Sequence, residues 1–306
     1  MALIRRLQIW NKNNTRHTGQ RYWTGKMAID NSFMKKRLEK MEYLFALFSA
    51  ATHLPFVECD ENTFDDEIYV FATEEMMQTF AKSYAVKKYP LQAMKLPKKM
   101  FAGFFSSLYQ YGVTAVMFQD EGAPVRVPLS DLAEPTKMEG EMAEKLPVSN
   151  PELQLTAMYF VQEMRKPVKE RDAEEKQQLR ELEEEMAHNF FKATFIVAFD
   201  TSQIPGQWDP KDKSAKIGLP LIKAKDGRAF LPVFSDVVEF RKFAAKSKEK
   251  RKMRLVPTPF ENLIRFVPKE GEGIAINPAG VDLAMTRAQL ERLNKLYNSG
   301  ETGDKA

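Results

Sequence analysis

Few residues in this chain have the types and spacing that chemistry needs. Its three histidines, His17, His53 and His188, fall in separate segments without a companion at metal-ligand spacing, so neither a zinc site nor a histidine-based triad assembles from neighbours. Cys59 is the sole cysteine, cannot form an internal disulfide, and sits beside apolar residues that point to a buried free thiol rather than an activated nucleophile. Gly271-Glu272-Gly273 lacks the third glycine and the strand-then-helix setting of a dinucleotide fingerprint, and it reads as a turn before Ile274. No phosphate loop is present. The run Glu181, Glu183, Glu184 and Glu185 offers paired carboxylates, but dense charge on a helix ordinarily faces water. What remains is Asp200, Asp236, Asn277 and Asp282, polar residues expected at strand ends, where α/β domains place ligand groups. Gly280 joins them through the turn Asn277-Pro278-Ala279-Gly280. Each has a competing structural use: Asp236 caps a helix, Asn277 builds a turn, Asp200 ends a strand. The candidate ligand-binding set is therefore Asp236, Asn277, Gly280 and Asp282, with no catalytic residue, cofactor or metal expected.

The elements that would carry these residues recur twice. His53-Leu54-Pro55-Phe56-Val57 leads into Ile68-Tyr69-Val70-Phe71-Ala72-Thr73, and Gly218-Leu219-Pro220-Leu221-Ile222 leads into Leu231-Pro232-Val233-Phe234-Ser235-Asp236. The separation is 165 from Leu54 to Leu219, 163 from Phe71 to Phe234, 162 from Pro97 to Pro259, 161 from Gly112 to Gly273 and 156 from Ser130 to Thr286. Steps of this size, falling at turns, are what duplication followed by loop insertion and deletion produces.

In the first half, apolar spacing from Phe33 to Ala51 predicts an amphipathic helix, followed by strands at Leu54–Cys59 and Ile68–Ala72. Thr73 is placed to cap a helix running to about Lys82 with Met76, Met77 and Phe80 inward, and Pro97 to open a helix bearing Phe101, Phe104, Phe105 and Leu108. Val113–Phe118 is expected to close the sheet, with a short strand at Val125–Leu129. In the second half, Ala193–Phe199 is a buried strand and Leu219–Ala224 and Ala229–Phe234 form a hairpin over Asp226-Gly227. Ser235 or Asp236 caps a helix, with Glu239 three residues after Asp236 as a capping box requires, Leu255-Val256 is a short strand, and Thr258-Pro259 starts a helix. Strands at Ile274–Ile276 and Val281–Met285 follow, and Thr286 with Gln289 caps a terminal helix to about Tyr297. Between the halves, Pro151–Met164 and Lys169–Phe191 read as helices, the latter with a narrow stripe of Leu179, Leu182 and Met186.

The stretch Asp226-Gly-Arg-Ala-Phe-Leu-Pro-Val-Phe-Ser-Asp236, together with Gly273-Ile-Ala-Ile-Asn-Pro-Ala-Gly-Val-Asp-Leu283, resembles the SseB protein N-terminal domain over roughly residues 190–297. Residues 33–133 carry a degenerate form, in which Ile68–Thr73 lacks the proline and Met117–Pro124 replaces Asn-Pro-x-Gly. The resemblance implies a small α/β domain of bacterial proteins, without a settled activity and with no catalytic residues to carry over. The expected fold is therefore α/β (α+β): two tandem related domains, each a small mixed sheet with flanking helices, joined by a charged helical linker. The expected divisions are a basic, mobile segment at 1–30, the degenerate repeat at 31–133, the linker at 134–190, the SseB-like domain at 191–298 and a disordered tail at 299–306.

Composition narrows the setting. At 306 residues, 43% apolar and 29% charged, the chain has the size and make-up of a two-domain globular protein. No apolar run approaches the roughly twenty residues that span a bilayer, and Arg5 and Arg6 break any secretory core at the start, so the expected location is the cytoplasm, with no membrane partner. A net charge of +4 does not argue for nucleic acid. Basic runs at Arg5–Lys26, interleaved with Trp10, Tyr22 and Trp23, and at Arg241–Arg254 could meet phosphate or acidic protein surfaces, but such runs usually serve solubility. Two functions from different classes follow. One is a non-enzymatic, SseB-like interaction or regulatory scaffold that docks a protein or peptide through its sheet face or the hairpin Leu219–Phe234, with homo-oligomers left open. The alternative is a small-molecule binder or enzyme built on Asp236, Asn277 and Gly280.

Overall fold

The run Tyr43-Leu-Phe-Ala-Leu-Phe-Ser49 decides the architecture of the first half, because it is buried on both faces and so suits the interior of a sheet. In the computed structural model, which describes residues 32–135, 146–204, 217–247 and 251–298, it forms β1 (Tyr43–Ser49) between two partner strands. The expected helix over Phe33–Ala51 is thereby corrected: α1 covers only Ser32–Lys40. A continuous apolar run satisfies helical and strand periodicity alike, and here sheet pairing prevails. The basic segment 1–30, the tail 299–306, most of the loop after Ile204, including Pro205, Gly206 and Pro210, and Lys248–Lys250 of the second basic run lie outside the described residues.

Contacts divide the chain into two units. The first takes in the described residues up to 135 together with Gln162–Leu182, and the second residues 146–161 with those from Glu183 onward. In the first, β1 is followed by β2 (Val57–Cys59), β3 (Asp66–Phe71), α2 (Glu74–Val86), β4 (Leu91–Pro97), α3 (Phe101–Leu108), β5 (Ala115–Gln119) and β6 (Val125–Pro128). Strand order is β4-β1-β3-β5-β6, with β2 added beside β3. β3 and β5 are parallel, whereas the other pairs are antiparallel. Thr73 Oγ1 accepts the Met76 N–H at 3.3 Å and starts α2, as expected, and Met77 is buried among Phe45, Leu47, Phe56, Phe71 and Tyr84. Each such aromatic or aliphatic side chain contributes about 1.5–3 kcal/mol on burial. Four points differ from the expectations. β4 was unforeseen, because Gln92 to Lys95 are exposed. Pro97 ends β4 rather than opening a helix, a short 3₁₀ turn preceding α3. β6, not β5, is the strand at that edge of the sheet. Cys59 ends β2 half-buried rather than in the core.

Helices α4 (Pro151–Met164) and α5 (Ala173–Lys192) come next in sequence, and Asp172 and Glu175 form a reciprocal capping box at the start of α5, with Glu175 N–H to Asp172 Oδ1 at 2.8 Å. Leu182 and Met186 of the foreseen stripe are buried, while Glu183 and Glu184 face water. The second unit contains β7 (Thr194–Asp200), β8 (Ile222–Lys223), β9 (Ala229–Phe234), α6 (Val237–Lys246), β10 (Met253–Pro259), a 3₁₀ segment (Phe260–Phe266), β11 (Gly273–Ile276), β12 (Leu283–Thr286) and α7 (Arg287–Asn298). Its order, β10-β7-β9-β11-β12 with β8 beside β9, repeats that of the first unit. So does the register. Phe45 pairs with Phe71 as Ile196 pairs with Phe234, Tyr43 with Pro97 as Thr194 with Pro259, and Phe71 with Gln119 where β11 would carry Asn277 beside Phe234. Ile196, Ala198, Phe234, Val237 and Phe240 form a core with Leu146 and Val148.

Pro232 lies in β9 of this sheet, a position proline normally avoids. On one side β9 pairs with β8 through Ala229 and Phe230, and then with β7 from Val233 onward, so Pro232 falls at the changeover, where its missing N–H breaks no bond. The hairpin turn has three residues rather than the expected two: Ala224 N–H donates to Arg228 O at 2.8 Å, and Gly227 takes the left-handed φ of 85°. β8 is shorter and β10 longer than expected. Thr258-Pro259 does not cap a helix, since Pro259 ends β10 and Thr258 Oγ1 donates to Val256 O at 3.2 Å. Among the described residues no helix is long and apolar enough to cross a membrane.

Candidate functional site

β9 and β11 run parallel in the second unit, so their carboxyl ends bring Ser235 and Asn277 side by side. Asn277 adopts φ 46°, a left-handed conformation that asparagine tolerates because its side chain can bond locally. Its N–H still continues the ladder to Val233 O at 3.0 Å, and its carbonyl accepts from Gly280 N–H at 2.8 Å and Asp282 N–H at 3.0 Å. The expected turn is thus present.

The side chains form a closed ring of hydrogen bonds. Asn277 Oδ1 accepts the Ser235 N–H at 2.9 Å, while Asn277 Nδ2 donates to Ser235 Oγ at 2.8 Å and to Gln154 Oε1 at 3.4 Å. Ser235 Oγ and Gln154 Nε2 both donate to Asp236 Oδ2, at 2.9 and 2.8 Å. Asp236 Oδ1 accepts the Glu239 N–H at 2.9 Å, which is the foreseen N-cap of α6. None of these four side chains belongs to a residue more than 4% exposed. Burial raises the Asp236 carboxyl above its ordinary value, and the bonds from Glu239 and Ser235 hold it down. A buried carboxylate held by donors on both oxygens is fixed in place rather than presented to solvent.

Gly280 is there for space. A Cβ on it would overlap the carboxylate of Glu239, itself fully buried and paired with Lys242 Nζ at 2.6 Å. Asp282 is exposed with φ 52°, and it contributes its backbone to the turn. Asp200 does not join the group. β7 runs antiparallel to β9, which puts Asp200 at the opposite end of the sheet, where it accepts the Ser202 N–H at 2.9 Å. Gln154 and Ser235 were absent from the sequence-based set. Gln154 comes from α4, far away in sequence, and no local pattern could announce it.

The first unit carries a second buried polar group that the sequence did not suggest. Glu58 and Glu67 stand opposite each other across β2 and β3. Tyr84 OH donates to Glu58, whose carboxyl is raised by burial. Glu67 is pushed up to about 7 by burial first and by the neighbouring Asp60 second, with Arg126 opposing. Arg126 lies 2.5 Å from Asp65 and 3.5 Å from Glu67. Further along, Tyr89 OH donates to Glu163 Oε2 at 2.8 Å, and Lys166 Nζ reaches the same oxygen at 2.8 Å while sitting 3.9 Å from the Tyr89 ring centre. Burial and then the Glu163 charge raise the Tyr89 hydroxyl above its ordinary range, so it stays protonated as a donor. Among the described residues no three His, Cys, Asp or Glu side chains gather into a group that could hold a metal ion.

Known proteins add a family and little else. No curated protein matches the chain. Two solved structures are similar: Tic22 from Plasmodium falciparum, at 13% identity over 87% of this chain and 98% of that one, and Anabaena Tic22 (protein transport), at 10% identity over 74% and 82%. Both superpose with a TM-score of 0.18, too low to carry anything across from them. The family pattern of the SseB protein N-terminal domain matches residues 172–292, a span running from the start of α5 into α7 and including the Pro232 strand, the Asp236 cap and the Asn277 turn. That stretch, residues 172–292 of the chain, belongs to the SseB protein N-terminal domain family.

Proposed function

We propose that the chain is a non-enzymatic SseB-like protein that works as a protein-interaction or regulatory scaffold. The observation that supports this most is the closed ring at the carboxyl ends of β9 and β11. Asp236, Asn277, Ser235 and Gln154 spend their hydrogen bonds on one another and on the backbone, so the residue types best suited to a ligand site hold the fold instead. The likeness in strand order and register supports a second proposal, that the first unit is a diverged copy of the SseB-like domain, with the charged stretch 134–190, which carries α4 and most of α5, as the linker between the copies. The cytoplasm is the compartment we propose, on the single cysteine and the charged composition.

The test is a thermal-shift screen of wild type and Asn277→Ala against a metabolite collection. The scaffold reading expects no compound that stabilises wild type alone. A metabolite that raises the midpoint of wild type and leaves the variant unchanged would replace this reading with the small-molecule site around Asp236, Asn277 and Gly280.

A further inference from the structure

We infer that β4 of the first unit is a docking edge for an extended acidic segment of a partner protein, which adds to the sheet as a further strand. This rests on the interaction reading above and names the surface and the partner chemistry.

β4 ends the strand order of its sheet, and β1 is its only strand partner among the described residues. The ladder alternates. Lys98 N–H donates inward to Glu42 O at 2.8 Å and Pro90 O accepts inward from Ala50 N–H at 2.8 Å, so even-numbered residues face β1 and odd-numbered residues face away. Leu91, Ala93 and Lys95 therefore present three successive backbone N–H groups, with their carbonyls, along the outer edge. Gln92, Ala93, Met94 and Lys95 are all exposed.

The corresponding edge of the second unit is an internal contrast. In β10, Phe260 N–H donates inward to Ala193 O at 3.1 Å and Lys252 O accepts inward from Thr201 N–H at 2.8 Å, so the outward positions are Met253, Leu255, Pro257 and Pro259. Two of the four cannot donate. Proline at outward positions is how sheet edges are closed to pairing, and β4 has it only at Pro97.

Charge selects the occupant. Between Glu75 and Asp120 the sequence has no acidic residue, and Lys87, Lys88, Lys95, Lys98 and Lys99 lie on or flank β4. A second copy pairing edge to edge would set these lysines against themselves, which opposite-strand like charges penalise. A segment alternating Asp or Glu with apolar residues meets the lysines and supplies the ladder.

The probe is a fluorescent peptide alternating glutamate and valine, measured by polarisation against the full chain at low ionic strength, beside a lysine–valine peptide. Wild type binds the acidic peptide, loses it as salt is raised, and ignores the basic one. Ala93→Pro removes the central outward N–H without touching the β1 ladder, and weakens binding about tenfold. Lys95→Glu with Lys98→Glu, a second variant that leaves the backbone alone, reverses the preference between the two peptides. The proposal is overturned if wild type binds neither peptide, if both folded variants bind the acidic peptide as wild type does, or if sedimentation shows β4-dependent dimers that the acidic peptide fails to dissociate. Those failures leave the scaffold reading standing, since that reading falls only to a metabolite in the thermal-shift screen.

Discussion

Replacing Glu67 by glutamine should stabilise the first unit at neutral and alkaline pH, and the amount follows from where the carboxyl sits. The side chain is 4% exposed, faces Glu58 across the strand pair, and has Asp60 and Asp65 near it, with Arg126 at 3.5 Å as partial compensation. Its carboxyl is pushed from 4.5 up to about 7, so the folded protein holds a proton that the unfolded chain has already released through this interval. A raised acid therefore lends its full stability below about 4.5 and loses it as pH climbs through about 7. At 1.36 kcal/mol for each tenfold change in proton affinity, the whole span is worth about 3 kcal/mol at pH 8. The opposing pull of the Arg126 guanidinium is already contained in that value, so a glutamine standing in for the neutral acid recovers the whole span. Glu67→Gln should then match wild type at pH 4.5 and exceed it by about 3 kcal/mol at pH 8. The assay is amide exchange of Asp66–Phe71 by mass spectrometry at both pH values, with rates corrected for intrinsic exchange, which isolates this unit from the other. A variant that gains nothing between the two pH values would refute the assignment of strain to this carboxyl.

Asn277→Ala should cost about 2–4 kcal/mol in chemical denaturation of the second unit, more than the 1 kcal/mol or so expected of a local turn bond, because it removes bonds to Ser235 and Gln154 and leaves alanine at φ 46°. Asn277→Gly should recover part of that by relieving the backbone, and equal losses in the two variants would place the whole cost in the side-chain ring. Gly280→Ala should lower the thermal midpoint, since its methyl group must displace the Glu239 carboxylate from Lys242, whereas the double change Gly280→Ala with Glu239→Gln should not be worse than the single one.

Strand existence in the second half was legible because its signals are local. Asp-Gly at a hairpin, Asp236 with Glu239 as a cap, Thr286 with Gln289 at α7 and β-branched residues in β7 each act within a few positions. β1 was not legible, since a strand buried on both faces and a buried helix share the same apolar run, and only the neighbours β4 and β3 decide between them. β4 and the length of β10 escaped for the opposite reason: edge strands carry exposed, mixed residues and prolines. At the strand-end cluster, Asp236 and Asn277 were found from cap and turn chemistry. Gln154, which closes the ring, depends on α4 arriving from some eighty residues away, and Ser235, although next to Asp236 in sequence, meets Asn277 only through the parallel pairing of β9 with β11. The repeat register was approximate in the sequence. Pro97 and Pro259 correspond as expected, but Gly273 pairs with Phe230 as Ala115 pairs with Glu67, so Gly112 is not its counterpart.

Pro232 bears on how the second sheet opens. With no N–H at the junction between β8 and β7, neither neighbour can creep along β9 into the other's ground, because the next hydrogen bond it would need does not exist. The two contacts on that flank are mechanically separate. The hairpin at Asp226 can lift away, freeing Ala229 and Phe230, while β7 stays zipped to Val233 and Phe234, so β8 amides should exchange by local opening and those of β7 only when the whole sheet comes apart. In the first unit Tyr69 stands at the same junction with its amide intact, and no such stop separates β2 from β1.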